Sequence, residues 1–404
     1  MMYNRNNNFR GHTSNRGGYR GGGGGFRRGG YSGGGARRVK TFDPTVLINT
    51  PRTIQEKIEY KITNAFTDFK VAPELTKNVL DKGYKIPTPI QDQSIPAILA
   101  GRDLIGIANT GTGKTAAFLI PLIDKVLRNR NEKVLIIAPT RELAAQIRDE
   151  FFGFSRNLNI YCALCIGGAN MFRQKQDLRR NPNFVIGTPG RIQDLIQSGS
   201  LKLHDFGSIV LDEADHMVDI GFINDIKYII SLLPQNRQSL FFSATIDGQV
   251  NMILQSFVKN PVTVSVRTGD TADNVEQKVV QVNGAKIEQL HKLLITEGFE
   301  KVLVFARTKM AVQRLSDELI KRGFRADAIH GNKNQNQRIR TLDKFKKDIV
   351  QILIATDVAS RGLDIPNVSH VINYELPESH DAYVHRIGRT GRADKKGIAI
   401  TFVG

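Results

Sequence analysis

Short apolar runs rich in Val, Ile, Leu and Phe recur along the chain at residues 103–108, 133–138, 160–166, 183–187, 208–212, 238–242 and 262–266. Between them lie longer stretches in which apolar residues return at helical spacing among charged ones. Runs that stay apolar on both alternations, separated by helix-length amphipathic segments, predict a parallel sheet covered on both faces. The pattern breaks at the polar, turn-rich Arg267-Thr268-Gly269-Asp270-Thr271-Ala272-Asp273. It then restarts, with strands expected near 278–282, 301–306, 325–329, 351–355, 369–373 and 397–403. Two alternations divided by one polar stretch predict two tandem α/β domains. Ahead of the first strand, Pro73 to Lys82 reads as an amphipathic helix stopped by Gly83, and Tyr84-Lys85-Ile86-Pro87-Thr88-Pro89-Ile90-Gln91 follows as a proline-stiffened turn.

Composition changes this picture only at the start of the chain. The formal charge is +18, which points to a polyanionic partner. Half of it falls in residues 1–40, which hold nine Lys or Arg, thirteen glycines, five aromatics and no acid. Such a segment buries too little apolar surface to offset its ordering entropy and is expected to be disordered. Its repeats, Arg16-Gly17-Gly18-Tyr19-Arg20 and Gly25-Phe26-Arg27-Arg28-Gly29-Gly30-Tyr31, suit phosphate pairing and base stacking and look like an RGG-type RNA-binding tail. A solubilising tail without a defined partner accounts for the same composition. Residues 41–65 form a transition, with Ile54, Ile58 and Ile62 at helical spacing. No run of eighteen apolar residues occurs, and Met1-Met2-Tyr3-Asn4 has no apolar core behind it, so neither a membrane span nor a signal peptide is expected and a cytoplasmic location follows. The two cysteines, Cys162 and Cys165, tempt a redox or zinc reading. On a strand, residues three apart face opposite sides, and no second pair completes a zinc site, so two buried thiols in a reducing compartment are expected.

The chemistry concentrates in two stretches. Ser208-Ile209-Val210-Leu211 runs into Asp212-Glu213-Ala214-Asp215, three carboxylates at the end of a buried strand. Unpaired buried carboxylates are costly, and a divalent metal carrying phosphates is the natural partner. About a hundred residues upstream, Asp103–Ala108 reads as a strand, Asn109-Thr110-Gly111-Thr112-Gly113-Lys114-Thr115 as a loop, and Ala116–Ile120 as an apolar helix. Gly111 and Gly113 let backbone N–H groups approach phosphate, Lys114 reaches the terminal phosphates and Thr115 can hold Mg²⁺. The motif departs from the usual phosphate loop only in Ala108 at its first position. Gln91 after its rigid turn can pair with an adenine edge, and a turn with a helix cap explains it equally well. Further loops after strands, Pro139-Thr140-Arg141-Glu142, Gly167-Gly168, Thr188-Pro189-Gly190-Arg191 and Ser243-Ala244-Thr245, read as caps or as ligand contacts, and their position at strand carboxyl ends favours ligands. The second half has no phosphate loop but places Arg386, Arg389 and Arg392 among glycines, like forked donors aimed at phosphate.

With these motifs in this order, residues 66–403 resemble the DEAD-box ATP-dependent RNA helicases. Phe66 and Gly83–Gln91 look like the adenine-reading motif, Ala108–Thr115 like motif I with the Ala usual in the family, 212–215 like motif II and 243–245 like motif III. Val304–Thr308, Gln335 with Arg338, Ala355–Asp364 and His385–Arg392 look like motifs IV, IVa, V and VI. The resemblance implies two RecA-like domains, 66–267 and 277–404, joined by a linker at 268–276, a monomeric core, and ATP with Mg²⁺ between the domains. It implies phosphate binding by Lys114, Mg²⁺ at Thr115 and Asp212, a Glu213 that orients or deprotonates the attacking water, arginine fingers Arg389 and Arg392, and Asp364 near the ribose. Ser243 and Thr245 would couple the domains, with Asp215 and His385 close by. RNA would lie, without base specificity, on Pro139, Thr140, Arg141, Gly167, Gly168, Thr188, Gly190, Arg191, Arg307, Thr308, Gln335, Arg338 and Thr356. Tyr84 and Ser360 stand where the family more often has Phe and Ala, and Gly404 follows directly on the last strand where relatives continue into a helix. The same motifs serve an ATP-gated RNA clamp or a DNA helicase.

Overall fold

The computed structural model describes residues 60–109, 111–246, 248–266, 275–296, 299–360, 365, 367–391 and 396–404. The tail at 1–40, most of the transition segment, the linker's first seven residues, Thr110, Asp364 and Arg392 lie outside the described residues.

Thirteen strands are described, each within a few residues of its expected place. The first domain contains β1 (Leu104–Ala108), β2 (Lys133–Ile137), β3 (Cys162–Cys165), β4 (Phe184–Gly187), β5 (Phe206–Leu211), β6 (Gln238–Ser243) and β7 (Val262–Val266). The second contains β8 (Val275–Gln281), β9 (Val302–Phe305), β10 (Ala326–Ile329), β11 (Ile352–Ala355), β12 (His370–Asn373) and β13 (Gly397–Val403). The sheet orders are β3-β4-β2-β5-β6-β1-β7 and β10-β11-β9-β12-β13-β8. Each pairing is parallel.

Burial on both faces explains why the strands read as continuous apolar runs. Successive residues sort into different cores. Val134, Ile136, Val210, Leu240 and Phe242 join one cluster, whereas Leu135, Ile137, Ile209, Leu211 and Phe241 join the other. The second sheet repeats this, with Val302, Val304, Ile352 and Ile354 on one face and Leu303, Phe305, Leu353 and Ala355 on the other. Cys162 packs against the first core of domain 1 and Cys165 lies within the second, so the two thiols point apart and are free, as their spacing implied. Burial pushes the Cys165 thiol up to about 12, which leaves it unreactive at neutral pH.

Two boundaries differ from expectation. β8 begins at Val275, inside the predicted linker, and pairs with β13 through Gln281. It is an edge strand with Glu276, Lys278 and Gln281 turned outward or only half covered, so its start lacks the apolar signature of the inner strands. The first domain also gathers in residues before Phe66. Tyr60, Thr63 and Asn64 all donate to the Asp92 carboxylate, at distances from 2.7 to 3.1 Å.

Candidate functional site

Sheet order decides which loops meet. β5, β6 and β1 are neighbours, so 212–215, 243–245 and the phosphate loop emerge side by side at one carboxyl edge. β3, β4 and β2 are likewise contiguous and carry 166–168, 188–191 and 138–142.

The phosphate loop is built against the proline-stiffened turn. Thr88 caps the helix Pro89–Leu99, and Gln91 closes the capping box by accepting from the Thr88 N–H at 2.9 Å. The Gln91 amide then donates to the Gly113 carbonyl at 3.0 Å. Gln91 therefore serves as a cap and as a tie to the loop, in the same stroke. Gly113 has φ +95°, and a Cβ there would collide with the Gln91 amide. Thr112 Oγ1 donates to the Asn109 carbonyl at 2.8 Å. Lys114, buried at the start of the helix Lys114–Arg128, donates to the Ala108 carbonyl at 2.8 Å. Phe66 is buried against Phe69 and Tyr84, edge-on to both with ring centroids 5.8 Å away. That packing takes its ring into the core and leaves half-buried Tyr84 nearer the surface, which corrects the expectation of a base-facing Phe66.

The acids after β5 divide into two electrostatic types. Burial pushes the Asp212 carboxyl up to about 7; Lys114 opposes this, and Glu213 and Asp215 add to it. Glu213 suffers the same burial, but a hydrogen bond from His216 and the nearby charges of Lys114 and Arg389 win and hold it down to about 2. Its backbone is left-handed at φ 52°, a strained state for a non-glycine residue, with its N–H donating to Asp212 Oδ1 at 3.0 Å. Two adjacent carboxylates driven apart in this way have different uses. Asp212 needs a cation to ionise fully at neutral pH, and Glu213 is ionised already.

That donor set fits Mg²⁺ brought in by phosphates. Among the described residues no group of three or more His, Cys, Asp and Glu converges, so the protein alone makes no cage. One buried carboxylate, Asp212, and the Thr115 hydroxyl match an ion that keeps waters and substrate oxygens in most of its positions.

Asp215 joins this edge to β6. Its Oδ2 accepts from the Ala244 and Thr245 N–H groups at 3.0 Å each and from Thr245 Oγ1 at 3.2 Å. Its own N–H donates to Ser243 Oγ at 3.2 Å, and Ser243 donates onward to the Thr245 carbonyl at 2.7 Å. These bonds tie 243–245 to the helix Ala214–Ile220 that follows Asp212 and Glu213.

Domain 2 reaches this place through the helix His380–Ile387 and the turn after it. His385 and Arg389 line one small cleft together with Lys114, Glu213, Asp215, His216 and Ala244. The expectation for Arg386 is corrected. It is buried inside domain 2, bidentate to Asp357, and donates to Asn373 Oδ1 and the Glu375 carbonyl while lying over Phe305. A guanidinium with that many internal partners braces its own domain and is not aimed at phosphate.

A second contact between the domains forms at the other half of the sheet edge. Glu142, 4% exposed, accepts from Arg338 Nη2 at 2.8 Å and from Gln335 Nε2 at 3.2 Å. Gln335 and Arg338, expected on RNA, are held here as an interdomain latch, and Glu142 is the partner sequence reasoning missed. Its only signal was an acid inside an otherwise cationic loop. Around the latch, burial lowers the Arg141 pKa, with Arg338 and Arg191 adding repulsion and Glu142 opposing them. Glu142 pairs with Arg338 and Asp194 with Arg191, and Arg141 sits among them, a cationic cluster that suits a phosphate backbone. Gly167 and Gly168 lie against the Arg141 guanidinium, which a side chain at either place would displace. Thr140 and Thr308 cap helices with their hydroxyls, accepting from Leu143 and Ala311. Thr188 precedes the helix Pro189–Gln197 and Thr356 the short helix Asp357–Ser360. Pro139, Thr188 and Thr356 are buried, Gly190 and Arg191 are half-buried, and Arg307 is exposed.

The fold and this cleft are those of a protein with two RecA-like domains and a phosphate loop at the cleft they share. Comparison with known proteins narrows the class. The DEAD/DEAH box helicase family matches residues 88–253, and the helicase conserved C-terminal domain matches 285–394. The chain is 45% identical over 341 residues to the ATP-dependent RNA helicase CshA of Listeria monocytogenes, covering 84% of this chain and 66% of that one. It is 42% identical over 345 residues to the DEAD-box ATP-dependent RNA helicase CshA of Bacillus subtilis, covering 85% and 70%. The chain therefore spans about two thirds of the length of these relatives. Saccharomyces cerevisiae Dbp5 bound to RNA and ADP·BeF3 superposes with a TM-score of 0.75 at 30% identity, covering 84% of this chain and 90% of that one. Mss116p bound to single-stranded RNA and AMP-PNP gives 0.75 at 30% identity, covering 84% and 75%. The chain belongs to the DEAD-box family of ATP-dependent RNA helicases.

Proposed function

We propose that this chain hydrolyses ATP in response to RNA and uses the cycle to open short duplexes or remodel ribonucleoprotein. One observation carries the reading: Arg389 of domain 2 lines the same cleft as Lys114 and Glu213 of domain 1. A cleft completed by both domains is active only when they close. In this reading Lys114 exchanges the Ala108 carbonyl for the terminal phosphates, and the N–H groups of Gly111, Thr112 and Gly113 cradle them, with Thr110 beside them. Thr115 and Asp212 hold Mg²⁺, which when bound neutralises phosphate charge. Gln91 tightens the loop against the base, and Asp364 approaches the ribose. Glu213, ionised well below neutral pH, is a poor proton acceptor and acts by orienting the attacking water. Arg389 and Arg392 stabilise charge on the transferred phosphoryl group, an effect worth roughly 10³–10⁵ in rate for such fingers.

RNA makes closure favourable by lying along the cationic edge. Arg141, Arg191, Gly167, Gly168 and Gly190 of domain 1 and Arg307, Thr308 and Thr356 of domain 2 meet its backbone. The core works as a monomer in the cytoplasm. RNA-stimulated ATPase of Glu213→Gln tests the mechanism. ATP binding is expected to persist while turnover is lost, and wild-type turnover in the variant refutes it. Residues 1–40 supply further contacts to RNA through nine cationic side chains. Deleting them is expected to weaken RNA binding most at low salt, and an unchanged affinity there makes the tail passive.

A further inference from the structure

The helix Ala214–Ile220 brings one more side chain to the cleft. His216 stands three residues after Glu213, so its ring returns to the carboxylate along the helix face. Its Nδ1 lies 3.5 Å from Glu213 Oε2, and the residue is 3% exposed. The ring lines the same cleft as Lys114, Glu213, His385 and Arg389. Its Nε2 is buried and has no hydrogen-bond partner among the described residues. Leaving such an atom unpaired costs about 1–3 kcal/mol, so its place in a working site calls for a partner that arrives with the reaction.

The neighbour dictates the kind of partner. Glu213 Oε2, 3.5 Å away, offers an acceptor, so Nδ1 carries the proton that faces it. In the neutral ring Nε2 then presents a lone pair. Phosphate oxygens are acceptors too and cannot satisfy it; a water can, through an O–H. We propose that His216 is a further catalytic residue of the ATPase. Its Nδ1–H steadies Glu213, and its Nε2 accepts one O–H of the hydrolytic water while Glu213 accepts the other. With both O–H bonds held, an oxygen lone pair is left to face the γ-phosphorus. As the new O–P bond forms, the bond from phosphorus to the bridging oxygen breaks. One water proton stays on the phosphate product and the other leaves to solvent, so His216 ends the step unchanged. This rests on the ATPase reading given above.

The test is steady-state RNA-stimulated ATPase on the full chain, with binding of a non-hydrolysable ATP analogue measured in parallel. His216→Leu removes both contacts. Its kcat is expected to fall about tenfold or more, the size of one lost hydrogen bond in the transition state, with KM for ATP and RNA within about twofold of wild type. His216→Gln restores a polar atom near the Nε2 position and is expected to recover part of the loss. His216→Asn restores only the contact near Nδ1 and recovers less. Wild-type kcat in the Leu variant overturns the proposal. So does a parallel loss of analogue binding, which marks a structural role, or a Gln variant no faster than Leu. If the Leu variant does not fold, a Gln variant as slow as Glu213→Gln overturns it. The wild-type rate tests the ATPase reading itself, and its absence overturns both.

Discussion

The interdomain latch lends itself to a quantitative test through Glu142→Gln. In the closed arrangement Glu142 and Arg338 are 4% and 8% exposed and 2.8 Å apart. Removing the charge leaves Arg338 buried without a counter-ion, a loss of about 3–5 kcal/mol for a buried pair broken on one side. Glutamine keeps the volume and can still accept from Gln335, so the lower figure applies. When the domains part, both side chains are hydrated, and the loss then falls on closure rather than on folding. About 3 kcal/mol is roughly a hundredfold in the closing equilibrium. Fluorescence transfer between dyes on the two domains, with ATP analogue and RNA present, is expected to show closure needing about a hundredfold more RNA. Thermal unfolding of each domain is expected to stay put. Arg338→Gln alone and combined with Glu142→Gln completes a double-mutant cycle. A latch makes the pair strongly non-additive. Additive losses refute the reasoning and return Arg338 to a direct contact with RNA.

Two further outcomes follow from the same geometry. Gly113→Ala forces a Cβ into a backbone at φ +95°, against the Gln91 amide and 3.0 Å from Thr88 Oγ1. With about 1–2 kcal/mol of backbone cost alone, nucleotide affinity is expected to fall about tenfold or more by calorimetry, and unchanged affinity shows the loop is not held as described. The second concerns pH. Burial pushes the Asp92 carboxyl up, but the bonds from Thr63, Asn64 and Tyr60 outweigh it and hold it below the ordinary carboxylate range. A depressed folded pKa means the stabilisation is complete above the unfolded value of about 3.9 and is lost as pH falls through the lower folded one. Protection of the Thr63 and Asn64 amides, relative to their free exchange rates at the same pH, is expected to hold down to about pH 4 and to fall below it. Asp92→Asn is expected to lower that protection at neutral pH, and equal protection in the variant refutes the anchor.

The strands were legible because a parallel sheet buried on both faces leaves apolar runs with nothing polar to interrupt them. β8 showed where this fails: an outer strand keeps polar side chains, and its first two residues looked like linker. The phosphate loop and the acid-tipped strand were legible because each is contiguous in sequence, so local spacing carries the chemistry. Phe66 and Arg386 were misread for one reason. An aromatic ring or a guanidinium has the same letter whether it is spent inside the domain or offered to a ligand, and only its neighbours decide. Gln335 and Arg338 were expected on RNA, whereas their partner Glu142 lies 193 and 196 residues away, beyond any local pattern.

The order of residues alone determined the two-domain α/β character, the phosphate loop, the acids and the cationic balance, since periodicity and short motifs act over a few residues. The adjacency of β5, β6 and β1, which gathers lysine, acids and the Ser243–Thr245 turn at one edge, was decided by tertiary structure. So were the opposed titration of Asp212 and Glu213, the coupling of Asp215 to β6, and the meeting of Arg389 with Glu213. The physical reason is that side-chain spacing fixes which face a residue takes, whereas strand neighbours and charge environments are set by packing between segments far apart in the chain.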